Sequence, residues 1–433
     1  MMHMIRMASL WACFAVAFGG SAPPDNIPRY TGPGSCSSPS CHGSVQPRTD
    51  NSVLQTEYSV WAVRDKHSRA ASVLKNDLSK GIGRILDLRP DTSDKCLACH
   101  SLNVTEEQKS RSFDSDEGVS CENCHGPASN WLGPHTTRGW SYDRSVEQGM
   151  SNTRDLIKRS EICLSCHLGT ETKWVDHQMI AAGHPDLYFE LDSFSAVMPP
   201  HWKEPDADPW VEVRVIVIGE AVHLRENMRR IVRDTARFWP EYSELDCFAC
   251  HHALTTAADS WRQNRGYAGR RAGNPAWNSS RYTIFKIILE QVDSEDARRL
   301  ESALARTSAL VSDVTADRRQ VAAAAQNASE VADQAARRMA DLRFDSSAAL
   351  LLMKKISGNA DWISNQGERS AEQAAMVLNS LVIAYCKNAK PAAAVQAQMK
   401  STVGALFQLV ENPSAYAPGS FASQLRAFNA QVR

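Results

Sequence analysis

Cys121-Glu122-Asn123-Cys124-His125, framed by Gly118-Val119-Ser120 and Gly126-Pro127, carries the pattern that decides the fold of this 433-residue chain. The same Cys-x-x-Cys-His spacing recurs at Cys96-Leu97-Ala98-Cys99-His100, Cys163-Leu164-Ser165-Cys166-His167 and Cys247-Phe248-Ala249-Cys250-His251. A fifth copy has a longer loop, Cys36-Ser37-Ser38-Pro39-Ser40-Cys41-His42. Only Cys13 and Cys386 of the twelve cysteines stand outside these pairs. Cys-x-x-Cys-His is the attachment sequence of c-type haem. Two thiols about one helical turn apart reach the two vinyl groups on one porphyrin edge, and the next His turns under the ring to ligate iron. Zinc would accept paired cysteines but does not require a His after each second one. Disulfides suit an exported chain but leave the five histidines unexplained, and remain the alternative for Cys36 and Cys41. The expectation is about five covalent haem c groups, each with its own proximal His.

Seven histidines of the mature chain lie outside the motifs, and the last third of the sequence has none. Their concentration near the motifs makes them candidates for the second axial position. His67 follows Trp61 and Arg64 on a helical pattern, and His135 ends a Gly/Pro-bearing loop that can hold a side chain over a neighbouring ring. His177 and His184, seven residues apart, are expected on one face of a two-turn helix ended by Gly183 and Pro185. His201 completes the ligand candidates, while His223 reads as a helix-face residue and His252 abuts proximal His251. Arg64, Arg69, Arg138, Arg225 and Arg229 are the candidate partners of the haem propionates.

These motifs resemble the cytochrome c554 family. The resembling pieces are Trp61, Asp65-Lys66-His67-Ser68-Arg69-Ala70, Lys95-Cys96-Leu97-Ala98-Cys99-His100, the Gly118–Pro127 block with its later His135, and Ile162-Cys163-Leu164-Ser165-Cys166-His167-Leu168. The resemblance covers about a third of the chain. It implies a mostly helical electron carrier with closely packed haems, and His67 and His135 match the family's distal ligands. It also implies an open, five-coordinate iron at His100. The longer first loop, the fifth motif and the C-terminal third depart from the family pattern, and His177, His184 or His201 are the residues available to close that vacant position.

The rest of the chain frames this region. Residues 1–22 carry Arg6, an apolar run and small residues at Gly20, Ser21 and Ala22, the grammar of a signal peptide cleaved near Ala22. Cys13 loosely fits a lipobox, with Trp11 against that reading. No later segment is long and apolar enough to span a membrane. Residues 23–278 are expected to form a multihaem domain of short helices and loops around stacked haems, and 279–433 an Ala-rich helical bundle, a mainly α fold. Residues 211–218 alternate like a strand, but the charged continuation makes 212–238 one helix. Val321, Ala325, Ala328, Ala332, Ala335, Met339 and Leu342 step as a heptad seam of small residues. Ser370-Ala371-Glu372-Gln373 reads as a capping box opening another helix.

Lys and Arg number 48 against 49 Asp and Glu, a net charge of −1, which argues against a nucleic-acid partner. Bis-histidine irons change little on reduction, which suits electron transfer between redox partner proteins in the periplasm. The alternatives are an enzyme acting on a small nitrogen or sulfur oxide at one open haem, and a haem-bearing subunit of a membrane-associated respiratory complex.

Overall fold

The computed structural model describes residues 27–50, 53–202, 208–252, 265–271 and 273–432. The expected signal segment, residues 1–22, lies outside these residues. Seventeen α-helices are present among them. In chain order they are α1 (Glu57–Arg64), α2 (Asp77–Leu86), α3 (Asp94–His100), α4 (Cys121–His125), α5 (Tyr142–Glu147), α6 (Leu156–His167), α7 (His177–Ala181), α8 (Leu191–Val197) and α9 (Val211–Arg237). Then follow α10 (Thr283–Val292), α11 (Ser294–Val311), α12 (Arg318–Ala340), α13 (Ser346–Gly358), α14 (Ala360–Gln366), α15 (Glu368–Ala389), α16 (Ala393–Val410) and α17 (Pro418–Gln431). Extended pairing among the described residues is confined to two isolated bridges, Tyr30 with Lys109 and Leu245 with Trp277. The fold is mainly α, a helical body following a region of short helices and loops.

The two regions bury apolar surface differently. Before Leu156 the buried apolar side chains are Ala71, Leu74, Leu102, Ala128 and Trp131, whereas Val45, Val63, Leu78 and Ile85 are more than 60 % exposed. From Leu156 to Val432 one continuous apolar core joins α6, α8, α9 and all of α10–α17. At its centre is α9, whose strand-like start disappears because Val213, Val215, Ile216, Val217 and Ile218 are all buried. A helix covered on every side needs no polar face, so the 3.6-residue period is masked.

The small-residue seam of α12 packs chiefly on α9 and secondarily on α11. Val321, Ala325, Ala328, Ala332, Ala335 and Met339 are essentially inaccessible, and small side chains let these helix axes approach closely. Leu342 does not belong to the seam: α12 ends at Ala340 and Leu342 is exposed. The α9–α12 contact joins a helix of the expected haem-bearing segment to one of the expected bundle, so the core passes without a break across residue 278. Buried Arg225 pins three helices together, with Nη2 2.7 Å from Glu161 of α6, Nη1 2.7 Å from Asp333 of α12 and Nε 2.9 Å from Glu226. Its charge is thereby engaged by carboxylates, which removes it from the candidate propionate partners.

The start of α15 also differs from the sequence expectation. The helix begins at Glu368, and Ser370 lies inside it with Oγ 3.0 Å from Ser279 Oγ. Gly367 precedes it at φ 116°, its Cα beside the Arg265 guanidinium, where an added Cβ would stand 2.7 Å from Nη1. That position sets the helix start, and the serine hydroxyl serves an interhelical contact instead. Cys386 is buried on α15, as expected of a packing thiol.

Candidate functional site

The Gly118–Pro127 block is explained by what its side chains hold. Gly118 has φ 73° and lies against the chain at His67, where a Cβ would stand 2.7 Å from the His67 carbonyl oxygen. Val119 N–H donates to that same carbonyl at 3.0 Å, and Trp61 Nε1 donates to Val119 O at 2.9 Å. The buried Glu122 carboxylate accepts from Thr31 N at 2.9 Å, Gly32 N at 2.7 Å and Ala128 N at 2.7 Å. The block is thus a clamp that fixes the third motif to the His67 segment and the N-terminal strand of loop.

Four motif histidines each face a second histidine at nearly one spacing. His42 and His135 have ring centres 6.2 Å apart and planes within 8°. His67 and His167 are 6.2 Å apart at 86°, His100 and His184 6.4 Å at 89°, and His177 and His251 6.2 Å at 25°. An imidazole nitrogen binds a first-row metal at about 2 Å, with the ring centre roughly 1.2 Å further on. Two imidazoles on opposite faces of one iron therefore have centres about 6.3 Å apart. His125, the remaining motif histidine, is half-buried and within electrostatic reach of His201, which is carried by the connection between α8 and α9.

The ring nitrogens are organised to match. Nδ1 of His42 is 2.9 Å from Glu57 Oε2, Nδ1 of His67 is 3.0 Å from Asp65 Oδ1, and Nδ1 of His100 is 3.0 Å from Ala70 O. Nδ1 of His135 lies 3.1 Å from Trp131 O, that of His184 2.8 Å from Pro185 O, and that of His201 3.2 Å from Pro199 O. An acceptor at Nδ1 fixes the tautomer with its lone pair on Nε2, the arrangement metal-bound imidazoles use. The carboxylate partners raise His42 and His67 above the usual imidazole range, while burial lowers His125 and His167 to about 4. Burial also lowers His184.

His177 and His184 do not share a helix face. α7 stops at Ala181 and Gly183 takes φ 112°, so the chain turns and the two rings serve different partners. Lys95 beside the second motif pairs with Asp176 at 3.1 Å, and Asp176 caps α7 by accepting from Met179 N. Glu241 accepts from His177 N at 3.0 Å and anchors the other side. His223 is buried on α9, and His252 stacks on Phe248 at 5.9 Å.

None of the eleven described cysteines is joined to another in a disulfide, Cys36 and Cys41 included. Sulfurs of different motifs meet: that of Cys36 lies against that of Cys121. The sulfurs of Cys99 and Cys166 likewise lie against each other, and Lys173 Nζ is 3.3 Å from Cys166 Sγ. Cys124 senses the charge of Cys163. The first motif therefore meets the third, the second meets the fourth, and the third lies within electrostatic reach of the fourth. No group of three or more His, Cys, Asp or Glu among the described residues is gathered to hold a bare metal ion. The donor set fits a flat macrocycle between paired imidazoles, and the scarcity of protein core before Leu156 fits apolar side chains that meet the faces of such a ring.

Comparison with known proteins agrees with this chemistry. Residues 36–126 match the family described as cytochrome c554 and c-prime. Cytochrome c-554 of Nitrosomonas europaea is 30 % identical over 119 residues, 24 % of this chain and 49 % of the relative. The chain thus spans about half the length of the curated relative it matches. No solved structure matches it. Residues 36–126 of this chain are thus similar to the cytochrome c554 family of c-type haem proteins.

Proposed function

We propose that this chain is an exported five-haem c-type cytochrome that passes electrons between redox partner proteins. The observation that carries the reading is the set of four imidazole pairs at 6.2–6.4 Å, each containing one motif histidine. Cys36 with Cys41, Cys96 with Cys99, Cys121 with Cys124, Cys163 with Cys166 and Cys247 with Cys250 hold the cofactors by thioethers. His42, His100, His125, His167 and His251 are the proximal ligands, and His135, His184, His201, His67 and His177 their distal partners in the same order. Haem c, when bound, supplies a one-electron ferric–ferrous couple.

The protein's part is placement. Glu57, Asp65 and the carbonyls of Ala70 and Pro185 orient the imidazoles, so little rearrangement accompanies a change of oxidation state. The contacts between motifs set the order in which electrons move, and α7 with the turn after it joins the second motif to the fifth, the turn offering His184 to one and the helix His177 to the other. His184 at His100 replaces the expectation of an open iron there. This closure favours transfer over catalysis. Export rests on the residues 1–22 reading and on the family; no described helix is long and apolar enough to cross a membrane. Carbon monoxide binding tests the reading. Bis-histidine irons leave the ferrous spectrum almost unchanged, whereas uptake by two or more haems per chain would oppose it.

A further inference from the structure

A polar stripe runs through the apolar core along one face of α9. Glu220, His223, Asn227, Arg230 and Asp234 step at three- and four-residue spacing, and each is at most 8 % exposed. One end approaches the fourth motif. Gln373 Nε2 of α15 donates to Glu220 Oε1 at 2.6 Å and to Phe189 O at 3.2 Å, and the Phe189 ring stands 5.1 Å from that of His167. The other end reaches the fifth motif. Arg230 Nε is 2.8 Å from Glu244 Oε1, and its Nη2 donates to Ser243 Oγ at 2.7 Å and to Val175 O at 3.2 Å, two residues before His177. Between the ends, His223 Nε2, Asn227 Oδ1 and Nε and Nη2 of Arg281 have no hydrogen-bond partner among the described residues. Buried polar atoms are almost always partnered, so a run of exceptions points to a role beyond packing.

We propose that this stripe is a proton-binding site coupled to electron transfer, with Glu220 as the group that takes up and releases the proton. The inference rests on the electron-transfer reading above. Each electron added to a buried redox centre brings one negative charge into a low-dielectric interior, and a nearby carboxylate that gains a proton offsets it. As one electron enters from an external reductant, the Glu220 carboxylate takes one proton from solvent and becomes the acid. On oxidation it returns that proton. Glu220 is faced by Glu190 at the start of α8, with Asp192 beside it, by Gln373 of α15 and, one turn along α9, by His223 and Arg281. Glu190 accepts from Asp192 N at 3.0 Å, Ser193 N at 2.7 Å and Ser380 Oγ at 3.3 Å, donors that favour its ionised form against the burial that raises it. Glu220 accepts only from Gln373 among these, so it is the carboxyl that binds the proton. Burial beside Glu190 raises it to about 8.

Spectroelectrochemical titration of the holoprotein between pH 5.5 and 9 tests this, with haem content read from the same sample. The expectation is that one haem potential falls by up to about 59 mV for each tenfold drop in proton concentration, the limit for one proton per electron. Glu220→Gln should flatten that slope while leaving the other haems unchanged. An infrared reduced-minus-oxidised spectrum of the unmodified protein should show a protonated-carboxyl band, shifted in heavy water, whether or not the variant folds. Full haem content with no such band, or with the same slope in Glu220→Gln, would overturn the proton site alone. Missing haems would instead count against the electron-transfer reading.

Discussion

The imidazole of His184 stands 6.4 Å from that of His100 and nearly perpendicular to it. His184 reaches that place because Gly183 turns the chain at the end of α7 and because Pro185 O holds Nδ1. The family resemblance implies an open iron at His100; here a residue outside the matched 36–126 segment comes to face it. His184→Ala should therefore add one carbon monoxide per chain and convert one haem from low to high spin. Titrated difference spectra and electron paramagnetic resonance check this, and an unchanged stoichiometry would remove His184 from the ligands.

The most exchangeable iron is then expected at His125, whose partner His201 sits on a connection rather than on a helix. Unmodified ferrous protein should bind at most one carbon monoxide, and His201→Ala should make that binding fast. Stopped-flow mixing reads the rate. A variant as slow as the parent would assign the distal position to another group.

Glu57 and Asp65 act through His42 and His67. A carboxylate at Nδ1 makes the imidazole a stronger donor and favours ferric iron. Glu57→Gln and Asp65→Asn should each raise one haem potential while leaving haem content intact. Potentiometry with optical detection distinguishes this from loss of attachment.

Arg225 has three carboxylate neighbours and almost no exposure. Arg225→Ala leaves them without their shared cation, a loss of about 3 kcal/mol for a buried pair. A lower melting temperature, only partly restored by Arg225→Lys, is the expected result. A related prediction concerns length. A chain ending at Arg271 would expose the α12-facing side of α9 and should aggregate, since α9 is covered by helices beyond that point. Soluble, fully haem-loaded truncated protein would show the core to be divisible there.

Attachment chemistry was legible in the sequence because both cysteines and the proximal His are neighbours in the chain. Distal pairing was not, because it depends on where loops such as 131–135 and 182–185 turn. His67 and His135 stood out through the motif block that Gly118 and Glu122 clamp around them. His177 and His184 stood out as ligand candidates but not in their placement, since seven-residue spacing says nothing of a turn between them. The heptad seam of α12 and the helix over 212–238 were both visible, but not that they pack on each other, since the start of α9 is apolar on every side and shows no single face for a partner. Glu220 and Asp234 gave no signal, being ordinary acidic residues on a charged helix until packing buries them.

The haem content of the purified chain bears most directly on the function proposed. Pyridine haemochrome absorbance, set against protein concentration from amino-acid analysis, gives the number per chain. Five is the predicted result. Four, with Cys36 and Cys41 recovered as a disulfide, would contradict the pairing of His42 with His135 around an iron, and fewer would contradict the cytochrome reading as a whole.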